Sequence, residues 1–174
     1  CVVSFIDGIR KKASANPKKV VLPESDDPRT IEAVNCILDN KIAKVVLIGR
    51  DEVRKDIKSK NLDYLEVLDP ANYPDTEKMI SQYYELRKAK GITPEEARKT
   101  VLEDYVTFAG MIVRWGLADG FVSGARHTTA DIIRVALRCL SIDRDIGIVS
   151  GSFLIEVPDC AFGENGTFLY ADCG

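Results

Sequence analysis

The sequence predicts an α/β fold: a mostly parallel sheet covered by helices, a three-layer αβα arrangement. Three observations carry that expectation. Strand-like and helix-like segments alternate along most of the chain, as in repeated βα units. Hydrophobic residues make up 45% and charged residues 29% of 174 residues, a globular balance rather than a disordered one. The composition then shifts after Arg144 to β-branched, apolar segments separated by a Gly/Asn/Asp-rich loop, which adds a hairpin to the α/β body.

Residues 4–15 predict an amphipathic helix with Phe5, Ile6, Ile9 and Ala13 on one face. Lys19–Leu22 is a short apolar strand, and Pro28–Asp39 a helix carrying Ile31, Val34, Cys36, Ile37 and Leu38. Ala43–Ile48 is a strand ended by Gly49, Asp51–Lys60 a charged surface helix, and Tyr64–Leu68 a strand ended by Asp69-Pro70. Residues 75–90 form a long helix stopped by Gly91 at C′. Thr93-Pro94-Glu95-Glu96 has Thr at the N-cap, Pro at N1 and Glu at N3, so a helix starts there. Helices over roughly 94–103 and 104–115 follow, then a strand over Asp119–Ser123 and a helix over Thr128–Leu140. Ile146–Val149 and Phe153–Val157 read as strands, Pro158–Gly166 as a loop, and Thr167–Ala171 as the returning strand.

A domain boundary is expected near residue 145. Residues 1–145 make a first α/β domain lacking its C-terminal return segment, and 146–174 begin a second. The chain opens on Cys1 with no signal-like segment and closes just after a strand-like run, so it reads as part of a longer protein.

A formal charge of −3 argues against nucleic-acid binding through bulk charge, and no apolar run of about 18 residues spans a membrane. The five cysteines show no CxxC spacing. Cys36 and Cys139 lie among apolar residues and are expected reduced in the core. A Cys160–Cys173 bridge across the hairpin is disfavoured in a chain that reads as cytoplasmic. With one histidine, His127, and no paired cysteines, no metal site is expected.

Two stretches point to anion chemistry. In Pro23-Glu24-Ser25-Asp26-Asp27-Pro28-Arg29-Thr30 a strand ends and a helix begins, with Asp27 at the N-cap and Pro28 at N1. Arg29 then sits in the first helical turn, where a cation opposes the helix dipole. Either an anionic ligand holds it there, or it pairs with Glu24, Asp26 or a neighbouring chain. Its place at the carboxyl end of a strand is where ligands bind in open α/β sheets. In the second stretch, 119–131, a strand runs into a small-residue loop and then a helix with Thr128 at the N-cap and Asp131 at N3. Backbone N–H groups and the Thr128 and Thr129 hydroxyls are donors for an anion there. Arg134, one turn on, reaches back to that anion or pairs with Asp131. The stretch lacks the GxxxxGK[ST] pattern of a P-loop. His127 reads as a hydrogen-bonded loop residue sooner than as a base. Arg87, Lys88 and Lys90 gather at a helix C-terminus, where the dipole already favours cations.

Together these stretches resemble the phosphate acetyl/butyryl transferase family. The resemblance rests on Val21-Leu22-Pro23-Glu24 through Asp27-Pro28-Arg29-Thr30, Tyr84-Glu85-Leu86-Arg87-Lys88-Ala89-Lys90-Gly91-Ile92-Thr93, Ala118-Asp119-Gly120-Phe121-Val122-Ser123-Gly124-Ala125-Arg126-His127-Thr128-Thr129-Ala130-Asp131, and Phe153 through Val157-Pro158-Asp159. They occur in family order along the whole chain, and the second favours the acetyl branch. The resemblance implies a two-domain protein related in fold to isocitrate and isopropylmalate dehydrogenases, a homodimer when complete, with this chain as its N-terminal portion. It implies reversible acetyl transfer between coenzyme A and inorganic phosphate, with coenzyme A, phosphate and acetyl phosphate as substrates and no tightly bound cofactor. It places Arg29, Arg87 and Arg134 at coenzyme A or phosphate, and Ser123, Thr128 and Thr129 on the phosphate side. Family members usually carry Pro after the residue matching Arg134, where this chain has Val135. The family's catalytic Ser-Arg pair and aspartate base belong to its C-terminal half and match no residue here. The competing functions are butyryl transfer, a dehydrogenase of the same fold, for which the chain shows neither metal-binding aspartates nor a nucleotide loop, and a non-catalytic regulatory module.

Overall fold

The computed structural model describes residues 4–140, 142 and 145–171. The chain divides into two compact units: Asn16–Ser141, and Cys1–Ala15 together with Ile142–Gly174. The expected boundary near 145 left the first helix with the α/β body; here that helix groups with the hairpin instead.

The Asn16–Ser141 unit holds four parallel strands, β1 (Lys19–Leu22), β2 (Lys44–Ile48), β3 (Leu65–Leu68) and β4 (Gly120–Phe121), in the order β3-β2-β1-β4. Its helices are α2 (Pro28–Asp39), α3 (Thr76–Arg87), α4 (Pro94–Glu103), α5 (Tyr105–Arg114) and α6 (Thr129–Cys139); α1 (Phe5–Ala15) lies in the other unit. Alternation along β2 splits the core. Val45 and Leu47 join Leu22, Leu65, Val34 and Leu38 on the side of α2. Val46 and Ile48 join Val21 and the buried residues of α3–α6 on the other. Side chains of period two thus supply both faces of one sheet, giving the expected three layers. The second face is the larger, with Phe108 and Met111 fully buried and Tyr73 meeting Phe108 edge to face at 5.8 Å.

Capping chemistry sets the helix starts. Thr93 and Glu96 complete a reciprocal box on α4, and Asp104 caps α5 through the N–H groups of Val106 and Thr107. Gly91 takes φ +86°, the left-handed conformation that ends the α3 region after Lys88–Lys90 narrows to a 3₁₀ turn.

Four expectations need correction. Asp51–Lys60 is not an α-helix; a 3₁₀ turn covers Asp51–Asp56 and the backbone is extended at Ile57. Val53 and Ile57 are its only large apolar residues, and Arg50 supplies no side-chain cap, so little favours a longer helix. The strand expected over Asp119–Ser123 is reduced to Gly120–Phe121, flanked by single bonds from Asp119 N–H to Lys19 O and from Val122 N–H to Val21 O. Ile146–Val149 forms no strand, because Gly147 at φ +71° breaks the extended run. Cys36 is exposed, since α2 buries Thr30, Val34 and Leu38 and Cys36 lies off that stripe, whereas Cys139 is fully buried.

In the other unit, β5 (Ser152–Glu156) and β6 (Thr167–Ala171) pair antiparallel from Ser152↔Ala171 to Glu156↔Thr167. Glu156 caps α1 from a distance in sequence. It accepts from the Ser4 hydroxyl at 2.7 Å and from the N–H groups of Phe5 and Ile6 at 3.0 and 3.2 Å. Cys36, Cys139 and Cys160 are free thiols; Cys173 lies outside the described residues. Among the described residues, no helix is long and apolar enough to cross a membrane, and no group of three or more His, Cys, Asp or Glu side chains is placed to hold a metal.

Candidate functional site

Strand order creates the site. From β1 the chain moves to β2 and β3 on one side, then returns to β4 on the other. The segments leaving β1 and β4 therefore diverge, and a crevice opens between them at the carboxyl ends of the strands.

Glu24 fills its floor. The residue is 4% exposed at the end of β1, in a place where a lone carboxylate would be costly. The loop after β4 supplies what it needs. Glu24 Oε2 accepts from the N–H groups of Gly124 and Ala125 at 2.8 and 2.9 Å. Oε1 accepts from the N–H groups of Arg126 and His127 at 2.8 and 3.1 Å and meets His127 Nδ1 at 2.8 Å. Burial works against ionisation, but the His127 and backbone donors outweigh it and lower the carboxyl to about 2. Four successive N–H groups of the small-residue loop thus do converge on an anion, and that anion is the chain's own side chain. Sequence alone does not point to Glu24 in this role beyond one signal, an acidic residue two positions after a buried strand.

This geometry has a measurable acid signature. A carboxyl at about 2 folded, against an ordinary 4.5, contributes stability that is complete above pH ~5. That contribution is lost as the pH falls towards the folded value. Its full size is on the order of 3 kcal/mol, of which roughly 2 are gone by pH 3. Urea unfolding at pH 6 and pH 3 measures it as the part of the acid loss that Glu24→Gln abolishes.

Arg29 stands at the rim. Its N–H and Nε donate to Asp27 Oδ1 at 2.8 and 3.0 Å, and Nη2 donates to Asp27 Oδ2 at 2.8 Å and to the carbonyl oxygen of Ala125. Asp27 is thus both N-cap of α2 and partner of the arginine, and the Arg29 hydrogen bonds hold its carboxyl below the usual range. The partner is neither Glu24 nor Asp26, the two intrachain candidates from sequence; Asp26 pairs with Arg126. With its side chain 70% exposed, Arg29 still offers donors to solvent.

Arg29 and Ser123 share a cleft of about 410 Å³ with Leu22, Glu24, Thr30 and Gly124. Ser123 Oγ is shielded from solvent and has no hydrogen-bond partner. On the other side of the loop, His127, Asp131, Arg134, Arg138 and Asp104 line a smaller pocket of about 160 Å³. There Thr128 and Asp131 form a capping box, with the Thr128 hydroxyl donating to Asp131 Oδ2 at 2.7 Å. Arg134 Nη1 donates to Asp131 Oδ1 at 2.7 Å, the pairing weighed against a ligand role in the sequence. The Thr128 hydroxyl is therefore engaged within the chain, while Thr129 is exposed. Arg87 is half-buried at the end of α3 and lines neither cleft. Burial pushes the Cys139 thiol up to about 12, with Asp104 adding to the effect and Arg114, Arg138 and Arg87 opposing it. Cys139 is a packing residue rather than a nucleophile.

The comparisons with known proteins agree with the α/β fold. The sequence profile of the family described as Phosphate acetyl/butaryl transferase matches residues 4–174. A phosphate acetyltransferase of Thermoanaerobacterium thermosaccharolyticum is 45% identical over 98% of this chain and 52% of that protein. One from Acetivibrio thermocellus is 42% identical over 99% of this chain and 52% of its own length. The crystal structure of a phosphotransacetylase from Streptococcus pyogenes superposes with a TM-score of 0.83 at 32% identity, covering 100% of this chain and 52% of that one. The chain spans about half the length of the curated relatives it matches.

Proposed function

The chain belongs to the phosphate acetyl/butyryl transferase family, and on that premise we propose that the protein moves an acetyl group reversibly between coenzyme A and inorganic phosphate. The relatives reported above are named for phosphate acetyl transfer, which favours acetyl over butyryl. The observation that carries the proposal is the switch-point crevice, where a buried carboxylate orders one loop and an exposed guanidinium leans on that loop's backbone.

The chemistry asks for such groups. A thiol with a pKa near 8.5 must lose its proton before it attacks an acyl phosphate, and the phosphate then leaves with negative charge to be held. An arginine fork suits that task because it meets two oxygens at once. Arg29, Arg87 and Arg134 are the residues proposed to hold coenzyme A or phosphate, with Ser123, Thr128 and Thr129 on the phosphate side. The acid–base and transition-state groups are proposed to lie outside these 174 residues. A cytoplasmic homodimer with no metal and no tightly bound cofactor completes the proposal.

Arg134 is the most exposed to refutation, because its partner in the structure is Asp131. That pair is solvent-exposed, so exchanging it for a phosphate costs little. In the complete protein, acetyl phosphate should form from acetyl-coenzyme A and phosphate. Arg134→Ala should weaken phosphate binding about 10- to 150-fold, and Arg134→Lys should restore part of it. Unchanged phosphate affinity in Arg134→Ala would leave the arginine as a helix-surface partner of Asp131. Absence of acetyl transfer in the wild-type protein would refute the activity itself.

A further inference from the structure

We propose that His127 binds a phosphoryl oxygen through Nε2, with Glu24 as the positioning residue that turns the ring to do so. The inference deepens the acetyl-transfer reading and rests on it for the identity of the ligand.

The argument begins with the buried carboxylate. An ionised Glu24 can only accept, so the ring nitrogen that faces it, Nδ1, must be the donor. The hydrogen bond fixes the proton on Nδ1 and the plane of the ring. It leaves Nε2, the other nitrogen, as the one free to meet a ligand. No protein partner of Nε2 is seen among the described residues, and the His127 side chain is 41% exposed. The ring also lines the pocket that holds Arg134 and Arg138.

Charge decides what Nε2 would meet. The groups around the ring are Glu24 behind it, Asp104 and Asp131 across the pocket, and the guanidinium groups of Arg134 and Arg138. Glu24 already sits in five hydrogen bonds, and Asp131 is bonded to Thr128 and Arg134. An oxyanion entering between His127 and Arg134 meets the Nε2 edge of the imidazole and an arginine fork together. With the carboxylate behind it, the ring is held in one plane and presents its Nε2 edge to the pocket, so a single residue provides a directed contact. The same backbone turn carries the Arg29 contact through Ala125 O, so Glu24 orders donors on both sides of the loop.

Two substitutions separate this role from loop anchoring. In His127→Asn the amide N–H stands where Nδ1 was and nothing reaches the place of Nε2; in His127→Gln the amide lies near Nε2. The complete protein is assayed for acetyl transfer, and sulfate binding is titrated calorimetrically at one fixed pH. His127→Asn should weaken sulfate about 10-fold or more, and His127→Gln should fall between it and the wild type. A parallel rise in KM for phosphate assigns the oxyanion to inorganic phosphate; a rise in KM for coenzyme A alone assigns it to the phosphates of the larger substrate. Sulfate affinity and both KM values at wild-type level in His127→Asn would overturn the proposal and leave His127 as a loop anchor. A wild type without acetyl transfer would sink the activity, while the sulfate titration would still judge His127.

Discussion

Glu24→Ala should lower the unfolding free energy of the protein by about 3–5 kcal/mol, as expected when one partner of a buried charged network is removed. Four backbone N–H groups and a ring N–H converge on this single carboxylate. Truncation leaves all five without an acceptor at once. Each such donor costs about 1–3 kcal/mol where it stays dry, and less where the loop opens enough for water to reach it. Since Gly124 and Arg126 are exposed, partial hydration keeps the total well under the sum. Urea unfolding at pH 7 measures the loss. A change under 1 kcal/mol would mean that the loop holds its shape without the carboxylate and that Glu24 orders nothing.

Phe108→Ala should cost a similar 3–5 kcal/mol for a different reason. The ring has no exposure, belongs to the larger core cluster and packs edge to face against Tyr73 at 5.8 Å. Removing it deletes apolar contact and leaves a cavity between the sheet and α3–α6 that rigid helices fill poorly. Phe108→Leu retains most of the volume and should cost clearly less. Equal losses for Ala and Leu would place the contribution in the aromatic contact rather than in filled space.

What the sequence revealed depended on how far apart the interacting residues lie. The starts of α2 and α4 were legible to the residue, because Asp27-Pro28 and Thr93-Pro94 with Glu96 are local capping chemistry. The strand β2 was legible as an apolar run ended by Gly49, but which of its residues face α2 was not, since the run is apolar on both faces. An anion was expected at the helix start after β4, with its N–H groups and the Thr128 and Thr129 hydroxyls as donors; the N–H groups that meet one are those of 124–127 in the preceding loop. That Glu24 is the anion was not legible, because the partners are 100 to 103 positions apart and no local pattern links them. Arg29 shows a nearer failure. Its partner Asp27 is two residues away, but a residue that reads as an N-cap gives no sequence sign that its second oxygen also takes a guanidinium. The 3₁₀ turn at Asp51–Asp56 and the break at Gly147 were lost to composition, since charge runs and β-branched runs look alike whether or not the backbone stays regular.

The placement of β4 beside β1 has a consequence in time. β1 and β2 are neighbours in sequence and can pair while the chain is short, but Glu24 meets its donors only when a segment a hundred residues later docks against the far edge of β1. Closing so long a loop is entropically slow, and the two-residue ladder of β4 offers little to hold it until the carboxylate engages. The crevice is thus expected to be completed late in folding. Its opening and closing can proceed while β1, β2 and β3 stay paired, so slow hydrogen exchange at the amides of 124–127 would report completion of the sheet rather than its nucleation.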